Sequence, residues 1–345
     1  MALRANRNLA LRRHKMTDIR SFDKRRGALR TALLCAGIVL AGSVMAQDKY
    51  PTRPIEMIVP TPPGGGTDLV IRQLAELVEP ILGEKVVVVN RPGGGGMLGT
   101  AAVTKARPDG YTLGGLWNAP LTMTPHMQQA PYTPQDYLTI SMSDVAPTAI
   151  CVKKDFPANN ATEFFELLKK TPGQYTYGTD GVGGTIQLAA ERIFIRKGVK
   201  VRAVPFGGAG ETVKNYLGGH VDFFGGSIST ILPYVKEGST KCMFTTGPDP
   251  IAALPGVATL TDLGMPEAST QLWHGVLAPK GLSADKVAIL EKAFRQAAQS
   301  DKFRDFAEPK GMIVKGTSPA EFRELLDSEY KAMGEVMAAI GLNKK

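Results

Sequence analysis

Apolar and polar positions along the chain switch repeatedly between two periods, and the switches mark out its elements. Ile55–Val59 is an apolar run of strand length. Thr67–Glu79 carries apolar residues at 69, 70, 74, 77 and 78, the spacing of one helix face. Val86–Val89 is β-branched throughout, as expected of a strand buried on both faces. Met97–Ala106 reads as a helix, Asp109-Gly110 as a turn and Tyr111–Leu116 as a strand. Residues 117–147 hold Pro120, Pro125, Pro131, Pro134 and Pro147 and read as irregular. Strands then recur at 148–153, 175–178, 202–204, 221–224 and 241–246, separated by helices at 161–170, 185–197, 210–217 and 228–236. One more strand, 275–278, and helices near 283–298, 301–308 and 318–338 complete the pattern. Ser283 and Ser318 stand where N-caps belong, and Pro319 suits a first helical position. Repeated strand–helix alternation implies parallel sheets covered by helices. Two such runs on either side of the proline-rich stretch imply two α/β lobes.

Charge changes this picture only at one end. The 345 residues carry a net charge of +9, but residues 1–46 hold ten Lys/Arg against two Asp/Glu. The remainder holds 31 basic and 30 acidic residues, so the basicity belongs to the leader, which removes the main argument for a nucleic-acid surface. Lys24, Arg25, Arg26 and Arg30 precede an apolar run from Ala32 to Val44, followed by Met45-Ala46 and the polar Gln47-Asp48-Lys49. This is the layout of a secretory signal peptide cleaved after Ala46, and the run is short for a membrane span. A signal anchor is the competing reading. Cys35 leaves with the leader. Cys151 and Cys242 remain, each inside an expected strand, and the arithmetic leaves a bridge and two buried thiols equally open.

The glycines are placed at strand-to-helix junctions. Gly64-Gly65-Gly66-Thr67-Asp68, Gly93–Gly96, Gly181-Val182-Gly183-Gly184-Thr185 and Gly207-Gly208-Ala209-Gly210 each open a helix, and Gly225-Gly226-Ser227 follows the 221–224 strand. Such loops offer free backbone N–H groups at the positive end of a helix, where an anion binds. Tight packing is the plainer explanation for any one of them; five together favour an anion site. Gly94-x-Gly96-x-x-Gly99 matches a dinucleotide fingerprint, but Asn90-Arg91-Pro92 separates it from the strand and no acidic residue follows at ribose-binding distance. There is no phosphate-binding loop, no Gly-x-Ser-x-Gly elbow and no metal-ligand spacing. The expectation is therefore a binding protein without cofactor or metal, not an enzyme, and an exported α/β hydrolase is the rival. His126, His220 and His274 read as structural, with His126 and His274 as candidates to rim a pocket.

Several motifs occur together: Tyr50-Pro51-x-Arg53-Pro54-Ile55, Pro60-x-Pro62-x-Gly64-Gly65-Gly66-Thr67-Asp68, Asn90-Arg91-Pro92-Gly93, Pro108-Asp109-Gly110-Tyr111-Thr112-Leu113, Leu217-Gly218-Gly219-His220-Val221-Asp222 and Trp273-x-Gly275-x-Leu277-Ala278-Pro279. Together they resemble the substrate-binding proteins of tripartite tricarboxylate transporters, the Bug or TctC-like receptors, over essentially all of 47–345. The resemblance implies a two-lobed periplasmic binding protein of the type II kind, each lobe a mostly parallel sheet flanked by helices with the ligand cleft between them. Lobe 1 would comprise 47–148 and 246–345, and lobe 2 would comprise 149–245. It implies a monomer that captures a small organic carboxylate, either a di- or tricarboxylate or an aromatic acid. Its partners would be the membrane permease subunits, or a membrane kinase if the receptor serves sensing. The strands carrying Cys151 and Cys242 would be neighbouring hinge strands, which favours a disulfide.

By position, Pro62, Gly64, Gly65, Gly66, Thr67 and Asp68 correspond to one jaw, and Gly181, Gly183, Gly184, Thr185 and Gln187 to the other. Trp117, Asn118, Gly207, Gly208, Gly226 and Ser227 complete the expected ligand-binding set. Asp68, an acid beside an anion site, reads as a first-turn residue directed at its own backbone. Gln187 stands where the family commonly has a histidine, and Gly225-Gly226-Ser227 where it often has Phe-Asp-Asn. The lost acid disfavours amino acids as ligands. Trp117 is placed to stack on a flat acid.

Overall fold

The computed structural model describes residues 49–343 except Gly208, so the proposed leader and its cleavage point lie outside the described residues. In chain order the elements are β1 (Ile55–Val59), α1 (Gly66–Leu82), β2 (Val86–Asn90), α2 (Met97–Thr104), β3 (Thr112–Trp117), α3 (Thr124–Met127), β4 (Tyr137–Ala146), β5 (Thr148–Lys153) and α4 (Ala161–Lys170). They continue with β6 (Thr176–Thr179), α5 (Thr185–Lys197), β7 (Arg202–Pro205), α6 (Ala209–Leu217), β8 (Phe223–Ser227), α7 (Ile228–Lys236) and β9 (Thr240–Thr245). Last come β10 (Leu272–Pro279), α8 (Ala284–Ala298), α9 (Asp301–Ala307), β11 (Ile313–Val314) and α10 (Pro319–Ala339). All of them lie in one unit, Pro51–Lys345.

The strands form two sheets, ordered β11-β4-β10-β3-β1-β2 and β7-β6-β8-β5-β9. Both are mixed. β2, β1 and β3 run parallel, as do β7, β6 and β8. β10 is antiparallel to β3 and β4, and β5 is antiparallel to β8 and β9. The expectation of mostly parallel sheets therefore holds for the strands that lead into glycine loops and not for the rest. A period-two pattern carries no information on strand direction.

Burial follows the patterning. Ile55, Met57, Ile58 and Val59 are buried along β1, and α1 turns Val70, Ile71, Leu74, Ala75 and Val78 inward. Ser318 caps α10 in a reciprocal capping box with Glu321. Ser283 occupies the N-cap of α8, but its side chain accepts no capping bond.

Two features bear on the site. The expected irregular stretch contains a ten-residue strand, β4, which lies between the edge strand β11 and β10 in the first sheet. Three of its buried polar side chains are partnered from afar: Thr139 donates to Pro319 O, Ser141 to Thr317 O, and Asp144 pairs with His274. Residues after 246 also pack on the second sheet. Leu260, Met265 and Ala268 pack with Phe165 and Phe194 of the second sheet's core, and Ile251 and Leu254 with Phe224 on its other face.

β5 and β9 lie side by side at one edge of the second sheet, with Cys151 opposite Cys242. The two are joined in a disulfide across 91 residues of chain.

Candidate functional site

Because β2, β1 and β3 are parallel, the chain leaves all three at the same sheet edge. The Pro62–Asp68 loop, the Gly93–Gly96 loop and the Trp117–Asn118 corner are thereby gathered there. The parallel β7, β6 and β8 gather the Gly181–Thr185 loop, Gly207 and Ser227 in the same way. Ligands of open α/β sheets bind at such carboxyl ends. The two edges meet: the Thr185 hydroxyl donates to Asn118 Oδ1 at 3.0 Å. Beside that bond Met123, Leu188, Met333, Val336 and Met337 form an apolar cluster linking α5 to α10. A Cβ on Gly183, whose φ is +68°, would fall on the sulfur of Met127. The Gly181–Thr185 jaw is therefore seated against the first sheet's edge by glycine.

In the first jaw the Gly64 N–H donates to Asp68 Oδ2 at 2.8 Å, as expected of an acid turned on its own backbone. Arg72 Nε donates to the same oxygen and Asn90 Nδ2 to the other. Burial pushes the Asp68 carboxyl up, but the bonds from Arg72, Gly64 and Asn90 outweigh it and hold it below its ordinary value. The N–H groups of Gly66 and Thr67 open α1 and have no acceptor one turn earlier in the helix. Pro62, Gly64 and Gly66 are exposed, and Thr67 is buried.

The second jaw closes similarly. Gly183 N–H donates to Gln187 Oε1 at 2.7 Å. Gly207 N–H likewise donates to Glu211 Oε2 at 2.7 Å at the start of α6. Gly208 lies outside the described residues. Gly226 is a buried strand residue paired with Ala149, and Ser227 exchanges a hydrogen bond with Ser229 at the mouth. Gly225 and Gly226 thus belong to β8 and do not form a loop. Leu69, Leu98 and Val182, which sequence reasoning did not single out, are apolar side chains exposed at or beside the glycine loops.

Asn118 is fully buried, with both donors and its acceptor engaged. Nδ2 donates to Gln271 O and to Glu329 Oε1, and Oδ1 accepts from Thr185. Trp273 Nε1 donates to the other oxygen of Glu329. Burial pushes the Glu329 carboxyl up to about 7, against the pull of Trp273, Asn118, Arg192 and Thr122. Asn118 therefore joins the two sheets beneath the jaws, while the Trp117 ring packs against Gly96. His274 does not rim a pocket: it is buried inside the first sheet, its Nδ1 2.9 Å from Asp144 Oδ2. Ser143 beside it donates to Asp144 and to His274 O, not to the imidazole, so this buried trio is no nucleophile–base pair. The His126 and Tyr330 rings pack at a tilt, their centroids 4.2 Å apart.

The sequence profile of the tripartite tricarboxylate transporter family receptor matches residues 70–342. The chain belongs to that family. Receptors of this family are periplasmic solute-binding proteins. The chain is 30% identical to the protein BugT of Bordetella pertussis over 320 residues, covering 91% of this chain and 98% of BugT. It superposes on a TctC solute-binding protein from Polaromonas with a TM-score of 0.77 at 29% identity, covering 84% of this chain and 99% of that one. The periplasmic binding protein BugD matches with a TM-score of 0.69 at 30% identity, covering 86% of this chain and all of BugD.

Within this receptor, one group at the second jaw carried no sequence signal. Asp180 directly follows β6 where the chain turns into the Gly181–Thr185 loop. Its carboxyl folds back under the start of α5, so that a Cβ on Gly184 would stand 2.5 Å from Oδ1. Burial pushes it up to about 6, opposed by the N–H groups of Asp180, Ile186 and Gln187.

Proposed function

We propose that this receptor captures a small organic carboxylate between its two sheets, each with its helices forming one lobe, and passes it to the membrane permease subunits of a tripartite tricarboxylate-type transporter. The observation that carries the reading is the meeting of the two carboxyl-end edges at Asn118 and Thr185. That meeting brings helix N-termini from both sheets to one region. The N–H groups of Gly66 and Thr67, which open α1 with no acceptor one turn earlier in the helix, supply charge-assisted donors for an anion, and Arg72 lies one turn further along α1. The exposed Leu69, Leu98 and Val182 supply apolar walls that a carbon skeleton would cover. The receptor acts in the periplasm as a monomer, after removal of its leader.

Thermal unfolding of the processed protein against mono-, di-, tri- and aromatic carboxylates, with amino acids and sugars alongside, tests the proposal. Ligand at 100 times its Kd stabilises by about 2.7 kcal/mol, a shift of several degrees. A shift confined to carboxylates supports the reading. A shift only with sugars, or with none of the panel, overturns it.

A further inference from the structure

The two jaws differ in charge. Each sets an acidic side chain of the chain itself at a helix N-terminus, but only one of those acids is neutralised. Asp68 is bonded to Arg72 Nε at 3.0 Å and to Asn90. Asp180 has no such partner. Its Oδ1 is buried and makes no hydrogen bond, and among the described residues no cationic side chain contributes to its environment. The groups acting on it are backbone N–H groups, including those of Ile186 and Gln187 in the first turn of α5. The next helix of this sheet repeats the arrangement, with Glu211 closing over Gly207 N–H. The start of α5, which would otherwise hold a ligand carboxylate, is thus already faced by a carboxyl of the chain. A second carboxylate brought there would meet like charge in a desolvated place.

We propose that Asp180 is the specificity-determining residue of the second jaw: its carboxyl takes the anion position at the start of α5, so the receptor accepts ligands with one carboxylate and rejects those that bring a second one to this loop. This rests on the carboxylate-receptor reading and narrows it. The single carboxylate goes to the first jaw, where Gly66 and Thr67 offer N–H groups and Arg72 offsets Asp68. The far end of the ligand is uncharged or a hydrogen-bond donor, which the unpartnered Oδ1 of Asp180 favours.

Matched pairs that differ in one group test this: succinate against succinamate, and terephthalate against 4-carbamoylbenzoate, by calorimetric titration. For the native receptor, at least one half-amide binds about tenfold or more tighter than its diacid. Asp180→Ser, checked by circular dichroism for a native fold, narrows or reverses that preference by gaining diacid affinity. Asp180→Asn, which keeps the shape and removes the charge, shifts it in the same direction. A native receptor that binds a diacid as tightly as its half-amide overturns the assignment of Asp180 and leaves the carboxylate receptor standing. So does an unchanged preference in both variants. Absence of binding of all four probes and of benzoate and butyrate, by native protein and variants alike, overturns both readings.

Discussion

The disulfide allows the most quantitative prediction. It joins Cys151 on β5 to Cys242 on β9, at the two strands through which the chain enters and leaves the second sheet. The chain between them, a sequence separation of 91, includes β6, β7 and β8 with their helices, so the bridge closes most of the second sheet into one loop. In the folded state the two strands are already paired, so the bond restricts mainly the unfolded chain. For a loop of this length the chain-entropy relation gives about 4–5 kcal/mol at 25 °C. With an unfolding entropy of about 2 cal/mol/K per residue over roughly 300 residues, that is about 7 °C in Tm. The perturbation is Cys151→Ala with Cys242→Ala, paired with reduction of the native protein, which removes the bond without the small cavity at the buried Cys151. Thermal unfolding by circular dichroism reads the change, and mass analysis before and after alkylation reports the bond. Both perturbations should lower Tm by a similar amount and leave ligand affinity unchanged, because neither sulfur is at the jaws. Reduced and oxidised proteins melting within about 1 °C of each other would refute the entropic account. Two alkylatable thiols in native periplasmic protein would refute the bond itself.

Other outcomes follow from the buried polar groups and the loops. Asn118→Ala leaves Glu329 Oε1 and the Thr185 hydroxyl without their partner and should cost about 2–4 kcal/mol in urea unfolding; an unchanged midpoint would remove its role as the joint between sheets. Glu329 at about 7 lies above its ordinary 4.5, so the folded state holds the extra proton. Its contribution is present in full below about pH 4.5 and is lost as pH rises through 7, about 3 kcal/mol in all. Glu329→Gln should flatten that part of the stability–pH profile, and an identical slope in the variant would count against the assignment. Gly183→Ala puts a Cβ on the Met127 sulfur at a left-handed φ and should weaken carboxylate binding about tenfold or more, with a smaller loss of stability. Titration calorimetry showing native affinity would place the ligand elsewhere.

What could be read along the chain was what depends on neighbours in sequence. β1, β2 and β5 appear as apolar runs and α1 as a helical stripe, because a buried face imposes its period locally. The N-cap at Ser318 and the turn of Asp68 onto Gly64 N–H are bonds across three and four residues, so both were legible. β4 was not legible: prolines precede it, and Thr139, Ser141 and Asp144 look like surface residues until Pro319 O, Thr317 O and His274 arrive from 130 to 180 positions away. Asn118 was read as a ligand group on sequence grounds. Tertiary structure spends its donors and acceptor on Gln271, Glu329 and Thr185, and a satisfied buried amide holds sheets together before it holds a solute.

The sequence by itself determined the alternation of strands and helices, the glycine-lined starts of α1 and α5, and the family to which they belong. Those rest on local geometry and on the absence of Cβ atoms. Which strands run antiparallel, that residues after 246 pack on the second sheet, that Cys151 faces Cys242, and that one jaw's acid is neutralised by Arg72 while the other's is not were decided by tertiary structure alone. Each depends on which distant groups are brought within a few ångströms, and so does the energy of a buried charge.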